Sequence, residues 1–194
     1  MSVVRVEFDL RSVPGSPISF SRKIESEKET GEDHAHFEER TWRERLHVDT
    51  EGYVYIPPAA FKHCLEDCAK FLQESVPGKG KATYTKNFEA GVLCTTPMRL
   101  PIKAKDVKSE RLFVPSDGKK GGGTRVWKIF PIIEKWDTTG DLMLLDPLLT
   151  GNPEKVHEYM VHAGKFIGLG RYRPRRGGFY GRFTVERFEC EEVS

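Results

Sequence analysis

Lys165-Phe-Ile-Gly-Leu-Gly-Arg-Tyr-Arg-Pro-Arg-Arg-Gly-Gly-Phe-Tyr-Gly-Arg182 separates the last helical pattern of this 194-residue chain from its last strand pattern. The stretch holds Lys165, Arg171, Arg173, Arg175, Arg176 and Arg182, with no acidic residue among them. It also holds Gly168, Gly170, Gly177, Gly178 and Gly181. Glycine admits φ > 0 and lets a backbone come close to a ligand, and successive N–H groups in such a turn form a concave anion site. Arginine forks match phosphate oxygens and stack on flat rings, and Tyr172, Phe179 and Tyr180 set rings among the cations. Cations and aromatics on a glycine-rich loop suit a sugar-phosphate backbone with stackable bases. The competing reading is a solvated basic turn ahead of a strand.

Outward from that loop, the flanks read clearly. Asn152-Pro153 is a helix start, an N-cap residue with proline at the first helical position. Val156, Tyr159, Met160 and Ala163 form the buried stripe of that helix, and Gly164 marks its end. On the other side, Phe183-Thr-Val185, with Phe188 and Cys190 beyond, is the last strand. At the far end of the chain, Val4, Val6, Phe8 and Leu10 alternate with Arg5, Glu7, Asp9 and Arg11, the period of a half-buried strand.

Between these ends, residues 20–40 are polar without clear periodicity, and Thr41–Val48 reads as a second strand. Tyr53–Ile56 is a strand stopped by Pro57-Pro58, and Phe61, Cys64, Leu65, Cys68, Phe71 and Leu72 recur at helical steps immediately after it. Tyr84–Leu100 contains one or two strands. Arg111–Val114 and Thr124–Phe130 flank the glycine-lysine tip Ser116–Gly123 and predict a hairpin. Val126–Trp136 and Asp141–Leu145 are strands around a turn at Thr138–Gly140. The order approximates βαββαβ, so the expected class is α+β, a single ferredoxin-like or RRM-like domain over 1–194. It would carry a charged insertion at about 20–45, a basic hairpin insertion at about 99–128 and the C-terminal glycine-rich loop.

Composition narrows the function classes. A hydrophobic content of 38% with 11% aromatics builds a core, and the net charge of +2 does not by itself mark a nucleic-acid protein. Distribution says more. Segment 99–128 carries Arg99, Lys103, Lys105, Lys108, Arg111, Lys119, Lys120, Arg125 and Lys128 against Asp106, Glu110 and Asp117, whereas Glu25–Glu39 and Glu186–Glu192 are acid-rich. No apolar run is long enough to cross a bilayer, and the N-terminus has no signal-peptide pattern. Cys64, Cys68, Cys94 and Cys190 make no disulfide framework, which predicts a reducing, cytoplasmic setting. Cys64 and Cys68 fall on one helix face as small apolar residues. There is no Cys-x-x-Cys pair and no histidine ligand spacing, so no metal site is expected. The tip at 116–123 lacks the phosphate-loop order Gly-x4-Gly-Lys-Ser/Thr, which argues against nucleotide hydrolysis and leaves no cofactor implied.

Two stretches resemble a known family. Tyr55-Ile-Pro-Pro-Ala-Ala-Phe-Lys-His-Cys-Leu65 is similar to the strand, Ile-Pro-Gly-Ser-Ser-Leu-Lys-Gly, helix junction of the repeat-associated (RAMP) proteins of CRISPR effector complexes. Phe166-Ile-Gly-Leu-Gly-Arg171, followed by Arg175-Arg-Gly-Gly-Phe-Tyr-Gly-Arg-Phe183, resembles their C-terminal glycine-rich loop and last strand. Pro58-Ala59-Ala60 replaces Gly-Ser-Ser, which removes hydroxyls that could meet phosphate, and the chain is short for a full backbone subunit; a divergent phage- or plasmid-borne relative fits these departures. The resemblance implies an RRM-like core whose copies line a guide RNA. By position, Lys62 would face the RNA backbone from the first helix. Gly168, Gly170, Arg171, Arg173, Arg175 and Arg176 would face it from the loop, and Lys119, Lys120 and Arg125 from a thumb-like hairpin.

The first expectation is a non-catalytic single-stranded RNA-binding subunit that self-associates into a filament with other effector subunits, without a membrane. The second is an RNA-cleaving relative, with His34, His36, His47 or His63 as base, or Asp33 and Asp49 holding a metal, by residue type alone. The third is an interaction protein whose basic loop meets an acidic protein.

Overall fold

The computed structural model describes residues 3–116 and 123–193. In chain order the elements are β1 (Val3–Ser12), β2 (Ile18–Ser19), α1 (His34–Thr41), β3 (Tyr53–Ile56), α2 (Pro58–Leu72), α3 (Thr85–Gly91) and β4 (Val92–Leu93). They continue with β5 (Met98–Lys103), β6 (Lys108–Pro115), β7 (Arg125–Ile133), β8 (Asp137–Leu144), α4 (Pro147–Thr150), α5 (Pro153–His162) and β9 (Phe183–Val193). The class is α+β with antiparallel sheets.

The alternation in β1 sets the layers. Val4, Val6, Phe8 and Leu10 are buried, and their neighbours face outward. The four-stranded sheet runs β4-β8-β1-β9, every pair antiparallel. Helix α2 starts on Pro58, buries Phe61, Cys64, Leu65, Cys68 and Ala69, and ends where Gln73 turns left-handed at φ 49°. Phe61 stacks on Phe8 with centroids 4.8 Å apart, which fixes α2 on the Phe8 face. Helix α5 buries Val156, Tyr159 and Met160, and Tyr159 stacks on Phe88 of α3 at 4.4 Å. Burial pushes the Cys68 thiol up to about 12 and the Cys64 thiol up further, so both act as small apolar core residues.

Beside this core lies a three-stranded sheet, β2-β7-β6, and a two-stranded one, β3-β5. Strands β6 and β7 pair from Lys108↔Ile132 to Pro115↔Arg125 and form the expected hairpin.

Three expectations are corrected. Thr41–Val48 is no strand: α1 runs to Thr41 and a 3-10 turn covers Trp42–Arg45. Helical winding brings Glu38 and Arg45 together as a buried pair with two 2.9 Å bonds, which an extended chain would separate. Asp33 caps α1 by accepting from the His36 amide at 2.9 Å. Tyr84–Leu100 does contain strands, β4 and the start of β5, preceded by helix α3, which the sequence pattern did not reveal. Thr138–Gly140 lies inside β8, where a Cβ on Gly140 would come 2.6 Å from the Phe8 ring, so the glycine makes room for the core. Gly164 does not end its helix, because one π turn, Ala163–Ile167, carries the winding on to Gly168. A Cβ on Gly164 would strike the Phe183 carbonyl, so its smallness serves helix-to-strand packing.

Candidate nucleic-acid interface

The loop begins where the π turn meets Gly168. Gly168 and Gly170 both sit at φ 73°, a region that side chains rarely adopt. Gly168 also abuts Pro174, which a Cβ would approach to 2.7 Å, and a Cβ on Gly170 would strike the Ser19 carbonyl.

The amides of the loop work inward. Leu169 donates to Gly181 O at 2.9 Å, Arg171 to Ser19 O at 2.7 Å and Gly178 to Arg173 O at 3.1 Å. Tyr180 donates to Tyr172 O at 3.0 Å and Gly181 to Pro17 O at 2.8 Å. Ser16 Oγ donates to Phe179 O at 2.6 Å and accepts from the Arg182 amide at 2.9 Å. Those N–H groups close the loop on itself and on residues 16–19, and so mount its side chains. Tyr172 holds φ 55° to fit this mount.

The arginines sort into two sets. Arg171 is committed: it pairs with Glu110, donates from Nε to Ser19 Oγ at 3.2 Å and lies over Phe130. Burial lowers its pKa, and the carboxylate of Glu110 opposes that shift. Tyr180 donates its hydroxyl to the other Glu110 oxygen at 2.9 Å; burial and that carboxylate raise the phenol to about 12. Arg173 is also committed, to Asp67 of α2 at 3.0 Å. Arg175 and Arg176 form the second set. They sit on the 3-10 turn Pro174–Arg176, exposed and with no acidic partner among the described residues. Exposed Tyr172 and Phe179 flank them, with ring centroids 5.5 Å apart.

The remaining candidates scatter. Lys62 is held by Glu66 at 2.5 Å and by Glu89 O at 2.7 Å. Arg125 is exposed at the start of β7. Lys119 and Lys120 lie outside the described residues. His34 bonds the Trp127 carbonyl at 3.0 Å, and His36 pairs with Asp33. Asp49 accepts from the Glu51 and Tyr53 amides and pairs with Arg99 at 2.7 Å. His63 is exposed on α2. Among the described residues no group of three or more His, Cys, Asp or Glu side chains is placed to hold a metal.

The two stretches read as family-like come together in space. Ile56, Pro57 and Ala60 from the β3–α2 junction and Gly170 and Arg171 from the loop line one groove of about 210 Å³, with Phe20, Arg22 and His47. His47 lies 6.0 Å from the Phe20 ring and 5.7 Å from the Tyr55 ring. Burial, with Arg22 beside it, lowers its pKa.

The open face of the four-stranded sheet has the opposite character. Arg5 lies opposite Glu191, Arg11 opposite Asp137 and Arg187 opposite Asp9, while Glu7 lies between Asp141 and Glu189. Arg187 alone bonds Asp9 at 2.9 Å and Glu189 at 2.8 Å. An acid-rich, ion-paired face repels a polyanion, which leaves the loop side as the candidate surface. Sequence reading missed two exposed aromatic pairs, Phe113 with Trp127 at 5.2 Å and Phe71 with Phe166 at 5.6 Å. Phe71 had counted toward the buried stripe of α2, yet it is 48% exposed at the edge of that stripe.

No family model and no curated protein matches the chain by sequence. Solved structures do. A chain from the cryo-EM structure of the Type III-B Cmr-beta bound to cognate target RNA aligns with TM-score 0.57 and 13% identity over 100% of this chain, which spans 62% of that one. Cmr6 from Pyrococcus furiosus gives TM-score 0.47 at 13% identity, covering 95% of this chain and 99% of its own. A chain of a CRISPR RNA-guided surveillance complex gives TM-score 0.36 at 10% identity, covering 90% and 65%. At 13% identity, the likeness to the first of these is one of fold alone. This chain therefore shares the fold of that Cmr-beta chain.

Proposed function

We propose that this chain is a non-catalytic subunit that holds the backbone of single-stranded RNA on a ferredoxin-like core. The sheet order β4-β8-β1-β9, with α2 between β1 and β4 and α5 between β8 and β9, supports that core. The fold likeness to a chain from an RNA-bound complex supports the ligand. The observation that carries the reading is the Arg175–Arg176 pair: two exposed guanidiniums on a hydrogen-bonded loop, flanked in sequence by two exposed rings. Guide RNA, neighbouring effector subunits and further copies of the chain in a filament, in a reducing cytoplasm, are the partners this reading implies.

Replacing both Arg175 and Arg176 with alanine tests it. Binding of a single-stranded RNA oligomer should weaken, and the slope of log K against log salt should shrink by about 1.4, two phosphates at about 0.7 each. An unchanged slope and affinity would remove the loop as the site.

A second reading has one observation behind it. Of the four histidines considered by type, His47 is the one in the groove with Gly170 and Arg171. Its lowered pKa favours the neutral imidazole, the form a general base needs for RNA cleavage. Incubating the protein with labelled RNA, beside a His47→Ala variant, separates the readings: cleavage products that vanish in the variant would favour the enzyme.

A further inference from the structure

A second cluster of exposed rings stands next to the loop. Phe71 on the last turn of α2 and Phe166 in the π turn are 48% and 45% exposed. Their centroids lie 5.6 Å apart with planes 34° from parallel. The His162 ring continues the row, 5.9 Å from Phe166 and within 17° of its plane. Single exposed apolar side chains are ordinary and need no account. Two adjacent exposed rings extended by an imidazole make a continuous row, which scattered residues do not.

The surrounding charge selects the occupant. Lys165, next to Phe166, is exposed with no acidic partner among the described residues. Arg182 donates from Nε to the Lys165 carbonyl at 3.1 Å and from Nη1 to the Phe179 carbonyl at 3.3 Å. One guanidinium therefore bridges the segment bearing Phe166 to the segment bearing Phe179. The acids one turn back on α2, Glu66 and Asp67, are already paired with Lys62 and Arg173. Rings and cations thus alternate from the loop to the end of α2. Alternation of this kind fits a strand whose phosphates follow the cations while its bases lie on the rings. A protein partner selects instead for patches whose centre is depleted of charge.

We propose that Phe71 and Phe166 form a base-stacking site for single-stranded nucleic acid, continuing the strand's path from the glycine-rich loop past Arg182. This rests on the loop reading above. Every base has a π face, so the site adds affinity that depends on bases being present and little on which they are.

The test titrates the full chain with a uridine homopolymer and with an abasic oligomer of the same length. The parent should bind the uridine strand more tightly. Replacing Phe71 and Phe166 together with alanine should weaken uridine binding by about fivefold or more, leave the abasic strand unaffected, and leave the melting temperature nearly unchanged. The F71L/F166L pair keeps the apolar bulk while removing both rings, and serves if the alanine pair folds poorly. Equal binding of both strands by the parent, or uridine binding unchanged in the variants, overturns the stacking site and leaves the loop reading standing. Equal loss of both strands makes the rings a prop for the loop and also overturns it. A changed sedimentation coefficient with unchanged RNA affinity makes the pair a protein contact instead. A parent that binds neither strand ends the loop reading and this one together.

Discussion

The guanidinium of Arg171 lies 4.0 Å from the centroid of the Phe130 ring. Arg45 comes within 4.8 Å of the same ring, and each arginine has its own carboxylate, Glu110 or Glu38. The root of the β6–β7 hairpin is therefore where the glycine-rich loop and the α1 excursion are fastened. Arg171→Ala should cost about 2–3 kcal/mol, because it strands a mostly buried Glu110 and removes a cation from a ring. Arg175→Ala should stay within about 0.5 kcal/mol. Urea unfolding of the two single variants checks the contrast, and equal midpoints would dissolve the division of the arginines into two sets.

Glu38 accepts from Arg45 and from the Ile129 amide, all at 2.9 Å, and both partners of the pair are buried. Glu38→Ala leaves the Arg45 charge without its partner and should destabilise by about 3–5 kcal/mol. The double change Glu38→Leu with Arg45→Met should recover much of that loss. A double variant no better than the single one would mean that the bond to Ile129 dominates.

Gly170 and Gly80 share a positive φ, 73° and 62°, but differ in surroundings. Around Gly80 a Cβ would meet nothing within 4 Å, whereas at Gly170 it would strike the Ser19 carbonyl. Gly80→Ala should cost about 1–2 kcal/mol of backbone strain, and Gly170→Ala about 1–3 kcal/mol more from overpacking. Thermal melts of the two alanine variants measure the difference. Matching melting temperatures would show that the loop yields where it looks rigid.

Burial holds the His47 imidazole below its usual 6.5. The folded chain then takes up this proton less readily than the unfolded chain. The stability tied to His47 is complete above about 6.5 and is lost as pH falls from there through the folded value. Asp9, held down by hydrogen bonds from Arg187 and Thr139, acts only below 3.8 and so leaves that window clear. Urea midpoints taken at about pH 7.5 and about pH 5.5 should drop for the parent more than for His47→Gln. Parallel drops would assign the effect to other groups.

Strands β1, β7 and β9 and the β3–α2 junction were legible because their cues are local: alternation, a proline pair, helical spacing. The miss at Thr41–Val48 had a non-local cause. Arg45 donates from Nε to the Ile129 carbonyl, 84 residues away, and that anchor favours winding over the strand character of the side chains. Gly140 and Gly164 read as punctuation, but each is small because an aromatic residue, Phe8 or Phe183, occupies the space a Cβ would need. The loop was legible as basic and glycine-rich. Which cations stay outward was not, because the acids that claim Arg171 and Arg173 lie 61 and 106 residues distant.

Tyr172 keeps φ 55° in a loop where glycine would fit at no cost. Holding an aromatic residue there costs about 1–2 kcal/mol of backbone strain, yet its ring is left 46% exposed, where it returns little burial. The loop is thus a place where stability and ring presentation trade against each other. Tyr172→Gly should raise the melting temperature while removing one of the rings beside Arg175 and Arg176. A screen for thermostable variants would find this substitution early, and a screen for nucleic-acid retention would discard it.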